Sequence, residues 1–216
     1  MKTTILSAVY GDYDLLKFAK EQSVEVDWVC VTDNPSWPET YNGWRIVYEP
    51  RHHLHPNRAA KTPKMLPWLY TGTETSIWVD ASFRVVSSTF AEEALTFADP
   101  LAQFDHPWRQ DAYLEARECI AIPKYAGQPF QEQMEHLTGS GFPENFGLWA
   151  TGVIVRHHTP HVIKMGFDWM AEVYRYSFQD QVSHPYVCWK NGIRPTHLPG
   201  THLANQWLSY EGSGKH

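Results

Sequence analysis

Short apolar and β-branched runs recur along the chain, separated by stretches rich in Gly, Pro and polar residues. Residues 3–10 (TTILSAVY) read as a buried strand closed by the turn 11–14, with a helix expected over about 15–22. Residues 24–32 (VEVDWVCVT) alternate and then become wholly apolar, giving a second strand stopped by Asp33-Asn34-Pro35. Strand, helix, strand is the opening pattern of a parallel α/β unit. A third strand is expected at 44–48 (WRIVY), and residues 76–79 (SIWV), bounded by Thr71-Gly72-Thr73-Glu74-Thr75, read as a central strand buried on both faces.

After Val86 the pattern predicts a short helix over 89–98, a strand over 101–104, and helices over 110–122 and from 129 to 137. A strand punctuated by glycine follows over 146–156, a form that lets another backbone or a ligand approach closely. Helices over 162–176 and from about 177 onward come next, then an irregular tail around Pro199-Gly200 that is able to fold back over a site. The fold class is α/β, a mixed, mainly parallel sheet flanked by helices in one domain spanning 1–216.

Composition narrows the function classes. At 43% hydrophobic and 19% charged residues the chain is an ordinary globular sequence, but 10 Trp, 11 Tyr and 10 Phe raise its aromatic content. Flat rings suit sugars and nucleobases, although core packing is the alternative for each ring taken singly. A formal net charge of −6 argues against broad nucleic-acid binding, which needs many cationic contacts to phosphates. Three widely spaced cysteines, Cys30, Cys119 and Cys188, suggest reduced thiols and a cytoplasmic setting. No apolar run approaches the ~18 residues of a membrane span, and the N-terminus enters a strand at once, so neither a span nor a signal peptide is expected.

The candidate chemistry gathers where the central strand ends. In open α/β sheets the ligand crevice lies beyond the carboxyl ends of the strands, which is where Asp80 emerges, with Ser82 supplying a second oxygen. Such a pair faces a hard cation, Mn²⁺ or Mg²⁺; the alternative is that both residues simply shape a turn. Arg58, Lys61 and Lys64 fall at i, i+3 and i+6, a cationic helix face suited to a diphosphate or, alternatively, to solvent. The turn after the first strand shares this edge, making Tyr10, Asp12, Asp33 and Asn34 candidate contacts to a base and ribose, with turn-forming as the alternative for the two acids. His52, His53 and His55 lack a second ligand set that would complete a zinc site.

Two segments carry a family resemblance. Ser76-Ile77-Trp78-Val79-Asp80-Ala81-Ser82 and Asp180-Gln181-Val182-Ser183-His184-Pro185-Tyr186, in this order and spacing, resemble a glycosyltransferase-like family formerly catalogued as a domain of unknown function. More distantly, residues 3 to 205 are similar to glycogenin-like retaining glycosyltransferases of the GT-A fold. The resemblance implies a nucleotide-binding half over about 1–86 and an acceptor half over about 87–210. It implies that Asp80 is the first acid of an Asp-x-Asp metal motif, that Lys61 or Lys64 meets the donor, and that Gly152 lies under the sugar. Asp180 and Gln181 match the pair near sugar and acceptor, and His197 or His202 the late metal or diphosphate ligand. One departure is plain: Ser82 stands where those enzymes have a second acid.

The expected function is transfer of a sugar from a nucleotide-diphosphate sugar, a UDP-sugar foremost, to an acceptor that the sequence does not identify, a modified nucleobase included. Asp80, Ser82 and a late histidine would hold the cation, and Lys61, Lys64 or Arg109 would face the phosphates. Retention, as the resemblance implies, would leave Asp180 and Gln181 to steady the sugar; inversion would make Asp180 a base. The rivals are a non-catalytic carbohydrate- or nucleotide-binding module and a metal-dependent hydrolase.

Overall fold

A computed structural model describes residues 2–212. The chain runs through β1 (Thr3–Val9), β2 (Val26–Thr32), β3 (Thr40–Tyr41) and β4 (Trp44–Tyr48), then the short helices α1 (Pro56–Ala59) and α2 (Lys61–Met65). Strands β5 (Thr75–Val79) and β6 (Phe83–Val85), helix α3 (Phe90–Leu95), strand β7 (Leu101–Asp105), and helices α4 (Ala112–Ile120) and α5 (Phe130–Gly139) follow. The last elements are β8 (Trp149–His157), α6 (Pro160–Arg175), α7 (Asp180–Lys190), β9 (Thr196–His197) and β10 (Leu208–Tyr210).

Eight strands form one sheet in the order β3-β4-β2-β1-β5-β8-β7-β9, and β10 pairs with β6 in a small second sheet. Parallel pairing joins β1 to β2 and β5, β2 to β4, and β7 to β9. Pairing is antiparallel between β3 and β4 and on both sides of β8. The result is the expected mixed α/β sheet. Every residue of β1 and β5 is buried, because helices or loops cover both faces of these central strands.

Side-chain alternation divides the apolar residues between those faces. Leu6, Trp78 and Ile154 join Met165, Trp169 and Val187 from α6 and α7 on one side. Ile5, Ile77 and Val155 join Phe90 and Trp207 on the other. Gly166 lets α6 press against α2: a Cβ there would lie 2.5 Å from the Met65 carbonyl oxygen and 2.5 Å from the Trp68 ring. Among the described residues, no helix is long and apolar enough to cross a membrane.

The expected helix at 15–22 is absent, and the crossover from β1 to β2 is irregular. Its backbone groups find partners outside the segment. Asn42 Nδ2 donates to the Leu16 carbonyl and Trp44 Nε1 to that of Lys17, while the Ala19 amide donates to the Asn42 carbonyl. Farther along, the Ser23 amide donates to the Ser88 carbonyl. Tertiary partners have replaced the intrahelical bonds that a local reading assumes.

Candidate functional site

Asp80 leaves the carboxyl end of β5 and is fixed before any ligand arrives. Trp78, two residues back and on the same strand face, donates from Nε1 to Asp80 Oδ1 at 2.6 Å, and Lys64 Nζ reaches the same oxygen at 3.4 Å. The Asp80 amide donates to the Gly152 carbonyl at 2.8 Å, tying β5 to β8. A Cβ at Gly152 would stand 2.9 Å from Phe83 Cε2 and 3.3 Å from Asp80 Oδ2, so only glycine leaves this approach open.

Behind Asp80 lies a buried ionic cluster assembled from three distant segments. Lys61 and Lys64, one turn apart in α2, both bond Asp180 Oδ2, at 2.8 and 2.7 Å. Thr151 Oγ1 donates to Asp180 Oδ1 at 2.9 Å and lies 3.3 Å from Lys64 Nζ. Burial alone would push the Asp180 carboxyl up, but the two ammoniums outweigh it and hold the group well below the usual carboxylate range. Burial likewise opposes the charge on Lys64, yet Asp180 and Asp80 raise it above its ordinary value. Arg156 Nη2 donates to the Lys64 carbonyl at 2.8 Å and so fixes this residue's backbone from within the core.

A second buried carboxylate organises the next wall. Glu115 Oε1 accepts from Gln179 Nε2 at 2.9 Å and from Gln181 Nε2 at 3.1 Å, and its Oε2 accepts from Arg109 Nε at 2.5 Å. Gln181 Oε1 in turn accepts from the Thr151 amide at 3.4 Å. The Gln181 side chain is thereby oriented between α4 and β8.

These groups line two adjoining compartments of one cleft, which share Lys61, Lys64, Asp80, Ser82, Lys124 and Tyr210. Their cavity volumes are about 200 and 410 Å³, and both open to solvent. Taken together as one cleft they fall within the usual span of ligand clefts, about 300–1,000 Å³. Gly152, Asp180, Gln181, His202 and the exposed Trp108 border the second compartment. The tail does fold back over the site: β10 pairs with β6 and delivers Tyr210, while the preceding loop brings His202 and Leu203.

Other candidates lie apart from the cleft or are engaged elsewhere. The Arg58 guanidinium turns to the carbonyls of Val173, Tyr174 and Tyr176 at the end of α6, so it does not continue the lysine face. α1 and α2 are separate short helices, and the i, i+3, i+6 spacing breaks between them. Arg109 is bound to Glu115 rather than directed at phosphates. His197 pairs with Asp105 at 2.8 Å on the exposed β7–β9 edge and is not among the cleft residues. Tyr10 donates to Glu49 Oε1 at 3.2 Å from a buried position. Asp33 accepts from the Gly11 amide and from Arg51, and Asp12 from Asn34 Nδ2, so both acids lock the loops of this edge.

Residues 2–198 match the TOD1/MUCI70 glycosyltransferase-like domain. The chain belongs to this family. Among solved structures, the apo WbbM bifunctional glycosyltransferase superposes over 91% of this chain at 12% identity with a TM-score of 0.52. The chain spans 38% of that protein's length, and the likeness is one of fold. Mouse xyloside xylosyltransferase 1, also in its apo form, matches over 92% of this chain and 85% of its own at 12% identity, with a TM-score of 0.48. A comparison with curated proteins finds no match.

In this TOD1/MUCI70 domain Asp80 offers a divalent cation few donors. Among the described residues, no three His, Cys, Asp or Glu side chains are grouped to hold a metal ion. Asp80 Oδ1 is already bonded by Trp78 and Lys64, which leaves the carboxylate only Oδ2; Ser82 adds only a hydroxyl, and His197 is elsewhere. His202, near enough for Asp80 to act on its charge, is pushed below its ordinary value mainly by burial, and its buried Nδ1 has no hydrogen-bond partner.

The sequence reading passed over Trp78, Thr151, Glu115, Gln179, Lys124 and Tyr210 as functional residues. For Glu115 a signal existed. It shares a helical stripe with Ala112, Ala116 and Cys119, all buried, and a carboxylate on an apolar stripe requires partners.

Proposed function

We propose that the chain is a glycosyltransferase that takes its sugar from a nucleotide-diphosphate donor, a UDP-sugar foremost. The observation that carries this reading is the convergence of Asp80, Lys61, Lys64, Asp180 and Gly152 on one cleft at the carboxyl end of β5. Base and ribose lie in the first compartment, toward Tyr13, Asp14 and Asn57. The diphosphate meets Lys61 and the Ser82 hydroxyl, and the sugar sits over Gly152 beside Gln181.

In the transfer, the C1–O bond to the diphosphate breaks and its electron pair passes to the departing phosphate oxygen. The acceptor oxygen bonds to C1, and its proton goes to that phosphate oxygen. Preformed cations and hydrogen-bond donors lower the barrier by meeting the charge that develops. Retention of configuration is the better supported outcome. Both Asp180 oxygens are occupied and its charge is strongly stabilised, which suits it poorly to accept a proton as the base of an inverting reaction.

The test is UDP release from a panel of UDP-sugars with mono- and disaccharide acceptors, comparing the wild type with Asp80→Asn. Turnover that survives this substitution at the wild-type rate would remove Asp80 from the chemistry. A binding module without turnover is the second reading, favoured by Ser82 in place of an acid. Calorimetric binding of UDP with no UDP released from any donor would establish it. The hydrolase reading finds no support in the placement of the histidines. His55 caps α1 and His158 bonds Thr73 and Ser76.

A further inference from the structure

Three oxygens beside Asp80 and behind it already surround a cation. Lys64 Nζ lies 2.7 Å from Asp180 Oδ2, 3.3 Å from Thr151 Oγ1 and 3.4 Å from Asp80 Oδ1. Three acceptors match the three hydrogens of an ammonium, which has no further donor to offer. Its side chain is 4% exposed and its own carbonyl is held by Arg156, so it is fixed from both ends.

We infer that Lys64 serves as a built-in cation in the place of a divalent metal, and that this site binds and releases a nucleoside diphosphate without one. The inference rests on the transferase reading above. Three observations support it independently of sequence resemblance. Asp80 Oδ1 is doubly occupied, by Lys64 and by the Trp78 indole, so only Oδ2 remains for a second cation. The residue two positions on is Ser82, whose neutral hydroxyl adds no charge to draw an ion. A divalent ion near Asp80 would also face the Lys64 charge at short range in a poorly screened interior.

Division of labour follows from the hydrogen-bond count. Lys64 is saturated and holds Asp80 and Asp180 in place. Lys61, with one hydrogen on Asp180 Oδ2, keeps two for the cleft that it lines. When the sugar–phosphate bond breaks, the electron pair moves to a phosphate oxygen that Lys61 meets, and the acceptor proton follows to the same diphosphate. No external cofactor enters that balance.

The test is calorimetric titration of UDP, with GDP as second nucleotide, into the full chain in EDTA and again in excess Mn²⁺, alongside UDP release from UDP-sugars under both conditions. The expected result is a nucleotide Kd that changes by less than about threefold and turnover that EDTA leaves intact; a shared ion would instead couple the two by about 5- to 150-fold. Binding or turnover that appears only with Mn²⁺ overturns the built-in cation and leaves the transferase reading standing. No binding of either nucleotide under either condition overturns both. Lys64→Ala provides a second arm: nucleotide affinity should fall and be partly regained with Mn²⁺, which can then enter between Asp80 and Asp180. A folded Lys64→Ala protein, checked by circular dichroism, that binds UDP like the wild type would overturn the inference as well.

Discussion

Lys61 and Asp180 are separated by 119 positions in the chain and by 2.8 Å in space. This contact closes the back of the cleft, joining α2 to the start of α7. Asp180 carries both lysines of α2 on one oxygen, so it sets the position of the cations and of Asp80 beyond them. Removing its charge therefore does more than remove one ion pair.

Asp180→Asn keeps the shape of the side chain but leaves two buried ammoniums short of a counter-charge. Breaking a buried pair on one side costs about 3–5 kcal/mol. The expected result is a loss of that size in urea unfolding together with loss of UDP release. A variant within about 1 kcal/mol of wild type, the scale of an exposed ion pair, would show that the cluster is not closed as described.

Glu115 orients Gln181 and Gln179 without lining the cleft itself, and so acts as a positioning residue. Glu115→Gln should lower kcat by up to about a hundredfold, the scale associated with small misplacement of a reacting group, while UDP affinity stays unchanged. Gln181→Ala should have a similar effect. The double variant should be little worse than either single one, because the two residues act on one interaction. Additive losses would separate them.

Trp108 borders the second compartment with 71% of its surface exposed, a lining it shares with Gln179 and Leu203. An exposed indole at such a mouth suits stacking against the acceptor. Trp108→Ala is expected to raise the acceptor KM by about 3- to 10-fold, the scale of one aromatic contact, with donor binding untouched. Steady-state kinetics with varied acceptor and calorimetry with UDP separate the two effects. An unchanged acceptor KM would place the acceptor elsewhere.

Burial holds His184 at about 3 and His158 at about 4, against 6.5 for a free imidazole. In the folded state both stay neutral where the unfolded chain takes up protons. Stability contributed by neutral burial is thus complete above about pH 6.5 and is lost as pH falls toward 4 and then 3. Unfolding free energy should be roughly 1–3 kcal/mol lower at pH 5.5 than at pH 7.5, by the linkage of about 1.4 kcal/mol per pH unit for each group. Urea midpoints at the two pH values measure this, and His184→Gln should flatten the slope. The Asp180 contribution lies at more acid pH, because its depressed carboxyl keeps its charge through this window.

The sequence by itself determined the strands β1, β2, β4, β5, β7 and β8, the strand end at Asp80 and the lysine pair of α2, since each follows from local rules, but not the short strands β3, β6, β9 and β10. Short runs rich in β-branched and aromatic residues and bounded by Gly and Pro favour strands, and residues three apart share a helix face. It did not determine the segment 15–22, where loops distant in the chain supply the hydrogen bonds that a helix would have made for itself. Nor did it place Arg58, Arg109 or His197, because a cation or an imidazole follows whichever carbonyl or carboxylate the fold brings near. Only the tertiary structure decided that Lys64 would sit among three oxygens from β5, β8 and α7. That arrangement depends on burial and on contacts between segments far apart in the chain, neither of which a pattern of neighbouring residues contains.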